Sequence, residues 1–274
     1  MGFKNALRPP RTSRRDLLMD PVEDRFAGIA RLYGDAAVHR LACSHVAVIG
    51  VGGVGSWVVE ALARSGVGAI TMIDLDDVCV TNTNRQLPAM SSTIGQLKVD
   101  VLAARVRDIA PGCAVKTVAE FYTAETADDL FDPAWSLVVD AVDRVSTKAM
   151  LIDHCRRFGV PVVTCGGAGG RRDPGQVRCA DLTESNGDRL LKLVRKKLRR
   201  DYGFTKGEIW DIPTVYSAEE QVYPAGDGTV SDVPLEDGPV KLDCQVGFGA
   251  ATFVTGTCGF MAAAAAVERL LREA

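Results

Sequence analysis

Between residues 50 and 98 the chain sets out, in order, glycines, a carboxylate, amides, an arginine and a lysine. Gly50, Gly52 and Gly55 satisfy G-x-G-x-x-G directly after the apolar run HVAVI, with Gly53 inside the turn. Such a turn, passing from strand to helix, offers backbone N–H groups and the positive end of a helix to phosphate. Asp74 ends the next apolar run 19 residues after Gly55, where a carboxylate can take ribose hydroxyls, and Asp76 joins it as a nucleotide contact. Asn82, Asn84, Arg85 and Gln86 follow, and Lys98 opens a helical stretch. Two cations and their amides beyond a ribose suit a triphosphate with a departing pyrophosphate better than a neutral nicotinamide. Taken singly, Arg85 and Lys98 read as surface charges; their company gives them a role. Further on, LVVDAVDR places Asp140 and Asp143 at a strand end. One carboxylate with phosphate oxygens is the usual magnesium arrangement, which nominates Asp143 as metal ligand and catalytic group, against a plain first-turn or N-cap aspartate.

Positioning these groups calls for a parallel sheet. HVAVIG, GAITMID, AVKTVAEF, SLVVDAV and VPVVTCG have strand length and are rich in Val, Ile and Thr. Between them VGSWVVEALARSG, GQLKVDVLAARVRDIAPG and STKAMLIDHCRRFG read as helices. The alternation predicts an α/β, Rossmann-like doubly wound sheet, mainly parallel, with helices on both faces. Residues 1–20 read as a disordered basic arm, and 21–274 as a single domain. Within it 201–240, rich in turn formers, reads as a long mobile loop, and 246–272 as a C-terminal helix. The uncharged run 246–267 is long enough for a bilayer, but its alanines and glycines favour a buried, closely packed helix over membrane association.

Net charge is −3, which gives no global attraction to nucleic acid or anionic lipid and leaves such binding to a local patch. RLLKLVRKKLRRDYG supplies one: Arg189, Lys192, Arg195, Lys196, Lys197, Arg199 and Arg200 on one predicted helix, with Leu190, Leu193 and Leu198 as an incomplete apolar stripe. The competing reading is a solvated helix face. The 8 cysteines include no C-x-x-C pair, so neither a tetrahedral zinc site nor a redox motif is expected, and reduced cytoplasmic thiols are the default. Cys165 reads as a small core residue rather than a nucleophile.

GVGGVGS, IDLDDV, NTNRQ, Lys98 and DAVDR resemble, in order and spacing, the adenylating enzymes related to the ubiquitin-activating and the molybdopterin- and thiamine-synthesis activators. RFAGIARLYG, DDVCVTNTNRQ, GGAGG, VYPAGDGTV and GFGAATFVTGT resemble, more closely and over nearly the whole chain, the tRNA threonylcarbamoyladenosine dehydratases.

The resemblance implies ATP held by Asp74 at the ribose and by Asn82, Arg85 and Lys98 at the phosphates, with magnesium on Asp143. It implies that Arg25 reaches a phosphate of a neighbouring subunit, hence a homodimer, with Arg31 as rival for that role. The nucleic acid implied is tRNA carrying threonylcarbamoyladenosine, not DNA, and a link to a cysteine desulfurase and sulfur-acceptor system is suggested. A monovalent cation near the glycine-rich loops is a further candidate cofactor, one that the spacing does not support. Two other classes stay open at this point: an activator of a ubiquitin-like or sulfur-carrier protein, which shares the chemistry but usually carries paired C-x-x-C motifs, and a nicotinamide-dependent oxidoreductase. The second leaves Asn82 to Gln86 unexplained.

Overall fold

The computed structural model describes residues 22–225, 227–233 and 248–272. The expected N-terminal arm lies outside them. Three short helices lead in: α1 (Val22–Arg25), α2 (Ala27–Tyr33) and α3 (Asp35–Ala42). There follow β1 (His45–Ile49), α4 (Gly55–Arg64), β2 (Ala69–Ile73), α5 (Lys98–Ile109), β3 (Ala114–Val118), α6 (Ala127–Leu130) and β4 (Leu137–Asp140). The second half adds α7 (Val145–Phe158), β5 (Val162–Cys165), β6 (Val177–Asp181), α8 (Arg189–Asp201), β7 (Pro213–Ser217), the two-residue strands β8 (Tyr223–Pro224) and β9 (Val230–Ser231), and α9 (Thr252–Arg272).

Seven strands form one sheet in the order β3-β2-β1-β4-β5-β7-β6, all parallel except that β6 runs against β7. Strands β1, β2, β4 and β5 are almost uniformly buried, as a parallel sheet covered on both faces requires, and this explains their near-continuous apolar sequences. One apolar cluster joins β1 and β2 side chains such as Val46, Val48 and Ile70 to α4, α5 and α9; the other joins Ala47, Ile49 and Val138 to α7 and α8. The doubly wound fold expected from the sequence is therefore present.

Two expectations need correction. Residues 201–240 are not a continuous loop, because Pro213–Ser217 is β7, buried between β5 and β6. Its burial comes from its place in the sheet, not from any periodicity of its own. β6 is likewise hard to see in the sequence, since its arginine and aspartate interrupt the apolar pattern. After β7 the chain returns to the loop that follows β5, through Val222 N–H to Gly170 O at 2.9 Å and Gln221 Nε2–H to Gly169 O at 3.0 Å.

The C-terminal helix begins at Thr252 rather than at 246. It is the described helix long and apolar enough to cross a membrane, yet it packs on α4 and the sheet with Gly256, Gly259, Ala262, Ala263 and Ala266 buried. Small side chains let it lie close to α4, which matches the core-helix expectation.

Candidate active site

The sheet order reverses between β1 and β4, and the crevice beyond the carboxyl ends of those strands is where open α/β sheets take ligands. Ile73, Ile49, Asp140 and Thr164 lie level across β2, β1, β4 and β5. One residue further come Asp74, Gly50, Ala141 and Cys165, so the candidate groups leave the sheet along a common edge. A Cβ on Gly55 would stand 1.9 Å from the Gly50 carbonyl oxygen, so α4 can only enter this closely with glycine at its first position.

Asp74 is tied to that turn. Its Oδ2 accepts the Val51 N–H at 2.8 Å and its Oδ1 the Asp76 N–H at 2.9 Å, while burial pushes its carboxyl above the usual range. The carboxylate expected to hold a ribose is thereby held in place by the backbone expected to hold phosphate. Lys98, first residue of α5, is buried at 4% exposure, and its Nζ lies 2.7 Å from Asp76 Oδ2. The Asp76 side chain itself is half exposed. Gln86 is buried against Gly52, and its Oε1 has no partner among the described residues. The aliphatic stem of Arg85 lies against Gly53, while its Nη1 donates to Thr81 O and Asn84 Oδ1. Asn82 is turned inward, its Oδ1 accepting the Cys79 N–H at 3.0 Å, so its side chain shapes the NTNRQ turn. The structure thus gathers Gly50 to Gly55, Asp74, Asp76, Arg85, Gln86 and Lys98 around one turn.

Across the crevice, the two aspartates of DAVDR part company. Asp143 is exposed and has no hydrogen bond or ion pair among the described residues. Asp140, although at the strand end, is fully buried against Lys148 and Thr164 and is not available to a ligand. Among the described residues no group of three or more His, Cys, Asp or Glu could hold a metal. A single exposed carboxylate beside a phosphate turn nonetheless fits magnesium, which keeps its waters and takes few protein ligands alongside substrate phosphate. Cys165 is buried, and burial raises its thiol, which suits the expected core role.

Two groups of expected site residues lie elsewhere. Arg25 donates its Nη1 to Ile109 O, at the end of α5 opposite Lys98. Arg25 thus sits about 18 Å of helix away from Lys98, at the far end of α5. The basic helix α8 buries Leu191, Val194 and Leu198; Leu193 is exposed, which corrects the expected stripe by one helical phase. Arg195 turns back to the carbonyls of Leu182 and Ser185, and Lys197 and Arg200 pair with Asp201. Arg189, Lys192, Lys196 and Arg199 have no such partner among the described residues, and three of these, with Arg195, line a cavity of about 710 Å³. The N-cap of α8, Asp188, accepts the N–H groups of both Leu191 and Gly167 at 2.8 Å, fastening the helix to the GGAGG loop beyond β5. Sequence reasoning missed Lys148, and also Arg171, buried at 2% exposure with Nε and Nη1 unpartnered among the described residues.

Fold and site define a doubly wound α/β protein with a nucleotide-binding turn at the switch point of its sheet. The chain matches the family model described as the ThiF family over residues 25–273. The tRNA threonylcarbamoyladenosine dehydratase of Escherichia coli (strain K12) is 45% identical over 262 residues, covering 94% of this chain and 97% of that protein. The crystal structure of E. coli tRNA N6-threonylcarbamoyladenosine dehydratase in complex with ATP has a TM-score of 0.81 at 42% identity, over 92% of this chain and 95% of the other. Its complex with AMP gives 0.81 and 43% over the same shares. The chain belongs to the ThiF family and, within it, to the tRNA threonylcarbamoyladenosine dehydratases.

Proposed function

We propose that this protein is an ATP-dependent dehydratase that closes threonylcarbamoyladenosine, beside the anticodon of tRNA, into its cyclic form. The observation that carries the assignment is the fastening of Asp74 to the phosphate turn, with Lys98 and Arg85 on one side and Asp143 on the other. The ATP and AMP complexes of the E. coli relative support it.

A carboxylate resists acyl attack until its oxygen becomes part of a good leaving group. In the first step the substrate carboxylate oxygen bonds to the α-phosphorus of ATP, and the bond to pyrophosphate breaks. In the second the ureido group, losing a proton, attacks the activated carbonyl, and the bond to AMP breaks. The sum is loss of one water from the nucleoside. Both partners of the first step are anions, so their approach needs positive charge already in place, which Lys98 and Arg85 supply. Magnesium on Asp143 would neutralise phosphate charge when bound. The second step is intramolecular and gains from proximity.

The α8 cations without partners among the described residues would grip tRNA phosphates, and the Gly167–Asp188 bond, which ties the helix to the loop after β5, supports that reading. Arg25, at the far end of α5 from Lys98, would act across a twofold axis on a partner's nucleotide. Mixing Arg25→Ala with Asp143→Asn subunits should then restore activity, since one site per heterodimer is intact. We place the protein in the cytoplasm, where its tRNA substrate would be met, and a sulfur-transfer partner remains part of the proposal.

The test is pyrophosphate release from ATP with three additions: tRNA bearing threonylcarbamoyladenosine, a small carrier protein ending in a free carboxylate, or neither. Stimulation by the modified tRNA alone is expected. Stimulation by the carrier instead would make the protein a carrier activator.

A further inference from the structure

Asp143 has nothing of its own to orient it: no hydrogen bond or ion pair among the described residues reaches its carboxylate. What it does have is a short, anchored backbone. Only residues 141–144 separate Asp140, the end of β4, from the first residue of α7. We propose that Lys148 is a positioning residue for the reaction, holding Asp140 so that the 141–143 turn presents Asp143 to the nucleotide. This rests on the adenylating function proposed above.

Lys148, Asp140 and Thr164 are all 0% exposed. Lys148 Nζ donates to Asp140 Oδ2 at 2.8 Å and to Thr164 Oγ1 at 3.1 Å, and Thr164 Oγ1 donates to the same Oδ2 at 2.6 Å. The other carboxylate oxygen, Oδ1, accepts the Val142 N–H at 3.2 Å, inside the turn. One ammonium therefore joins α7, the end of β4 and the middle of β5, and through Asp140 it reaches the backbone one residue from Asp143. The turn is also fitted to the phosphate side of the crevice. Ala141 N–H donates to Ile49 O at 2.9 Å, and a Cβ on Gly50 would lie 3.1 Å from Ala141 carbonyl atoms.

Stability alone does not account for such a pair. Taking two charges wholly out of water costs about what their attraction returns, and apolar residues of the same volume commonly do as well. What the pair does supply is a fixed geometry, with every Asp140 oxygen engaged and the turn held from below. A carboxylate that must meet a metal and a triphosphate within a fraction of an ångström needs that support.

The test compares the wild type with Asp140→Leu/Lys148→Met, which removes both charges at once, and with Thr164→Val, which removes one bond to Asp140. Pyrophosphate release gives kcat, the KM for ATP and the magnesium concentration for half-maximal rate; equilibrium binding of ATP without magnesium gives a readout apart from turnover. For the double variant the expectation is a kcat lower by about tenfold or more and a magnesium midpoint raised about fivefold, with metal-free ATP binding within about twofold of wild type. A folded double variant with kcat and magnesium midpoint unchanged overturns the proposal. If it does not fold, Thr164→Val decides: a magnesium midpoint raised about threefold supports the positioning role, and an unchanged one overturns it. A wild type that releases no pyrophosphate with modified tRNA speaks against the adenylating function instead, and the magnesium dependence of ATP binding in the same variants then decides on Lys148.

Discussion

Two lysine–aspartate pairs flank the crevice, and they are built to opposite ends. Lys98 and Asp76 are 2.7 Å apart, Lys148 and Asp140 2.8 Å. The first pair leaves its aspartate side chain 52% exposed; the second is closed on both sides at 0%. A pair with one partner in water can exchange it for a phosphate oxygen at small cost, because the carboxylate released is rehydrated. A pair sealed in the core cannot exchange at all, since either charge left alone would stand unsolvated in a low dielectric. On the proposed function, Lys98 would meet a substrate, while Lys148 would hold a loop. Chemical type and pair distance do not distinguish them; the surroundings of the carboxylate do.

The sharpest contrast comes from the same substitution at both lysines. Lys98→Met should lower pyrophosphate release by a factor of about 10² to 10³, the loss of about 3 kcal/mol of charge stabilisation. Its melting temperature should stay close to wild type. Lys148→Met should instead destabilise by about 3–5 kcal/mol, because Asp140 is left buried without its counter-ion, lowering the melting temperature by roughly 10 °C. Thermal unfolding alongside a single-turnover assay separates the two. Equal loss of stability in both variants would end the distinction.

A smaller effect is expected at α8. Reversing Arg189, Lys192 and Lys196 to glutamate should weaken tRNA binding and reduce the slope of log K against log salt by about 0.7 for each phosphate that is no longer neutralised. ATP binding without tRNA should not change. The same reversals at Lys197 and Arg200, already paired with Asp201, should cost less.

The smallest effect concerns His154, buried on α7 with Tyr122 Oη 2.9 Å from its Nδ1. Burial lowers its pKa below the usual 6.5. The unfolded chain therefore takes up a proton near 6.5 while the folded chain stays neutral, and stability present above 6.5 is lost as pH falls toward the lowered value. His154→Phe should flatten that loss in urea titrations across the window.

The contrast between the two pairs also marks where sequence reasoning stops. The fold of the nucleotide half was legible because its strands are apolar on both faces, and its candidate groups could be named because they sit in compact stretches such as GVGGVGS and NTNRQ. Asp74 could be placed from its distance to Gly55 alone. Lys148 could not, because a lysine in VSTKAMLIDH reads as the polar face of α7; only the pairing of Asp140 with Thr164 across β4 and β5 turns it inward. On α8 the adjacent apolar residues Leu190, Leu191, Leu193 and Val194 fit two helical phases, and tertiary packing chose between them. β7 was hidden for a related reason: a five-residue strand beginning with proline in a turn-rich stretch gains its identity from its neighbours in the sheet.

The most direct test of the central claim is mass analysis of the modified nucleoside from tRNA incubated with the protein, ATP and magnesium. Loss of one water from threonylcarbamoyladenosine, with one AMP formed for each nucleoside converted, is the predicted result. AMP formed while the nucleoside stays unchanged, or a cyclic product formed without AMP, would contradict activation of the tRNA carboxylate by adenylation.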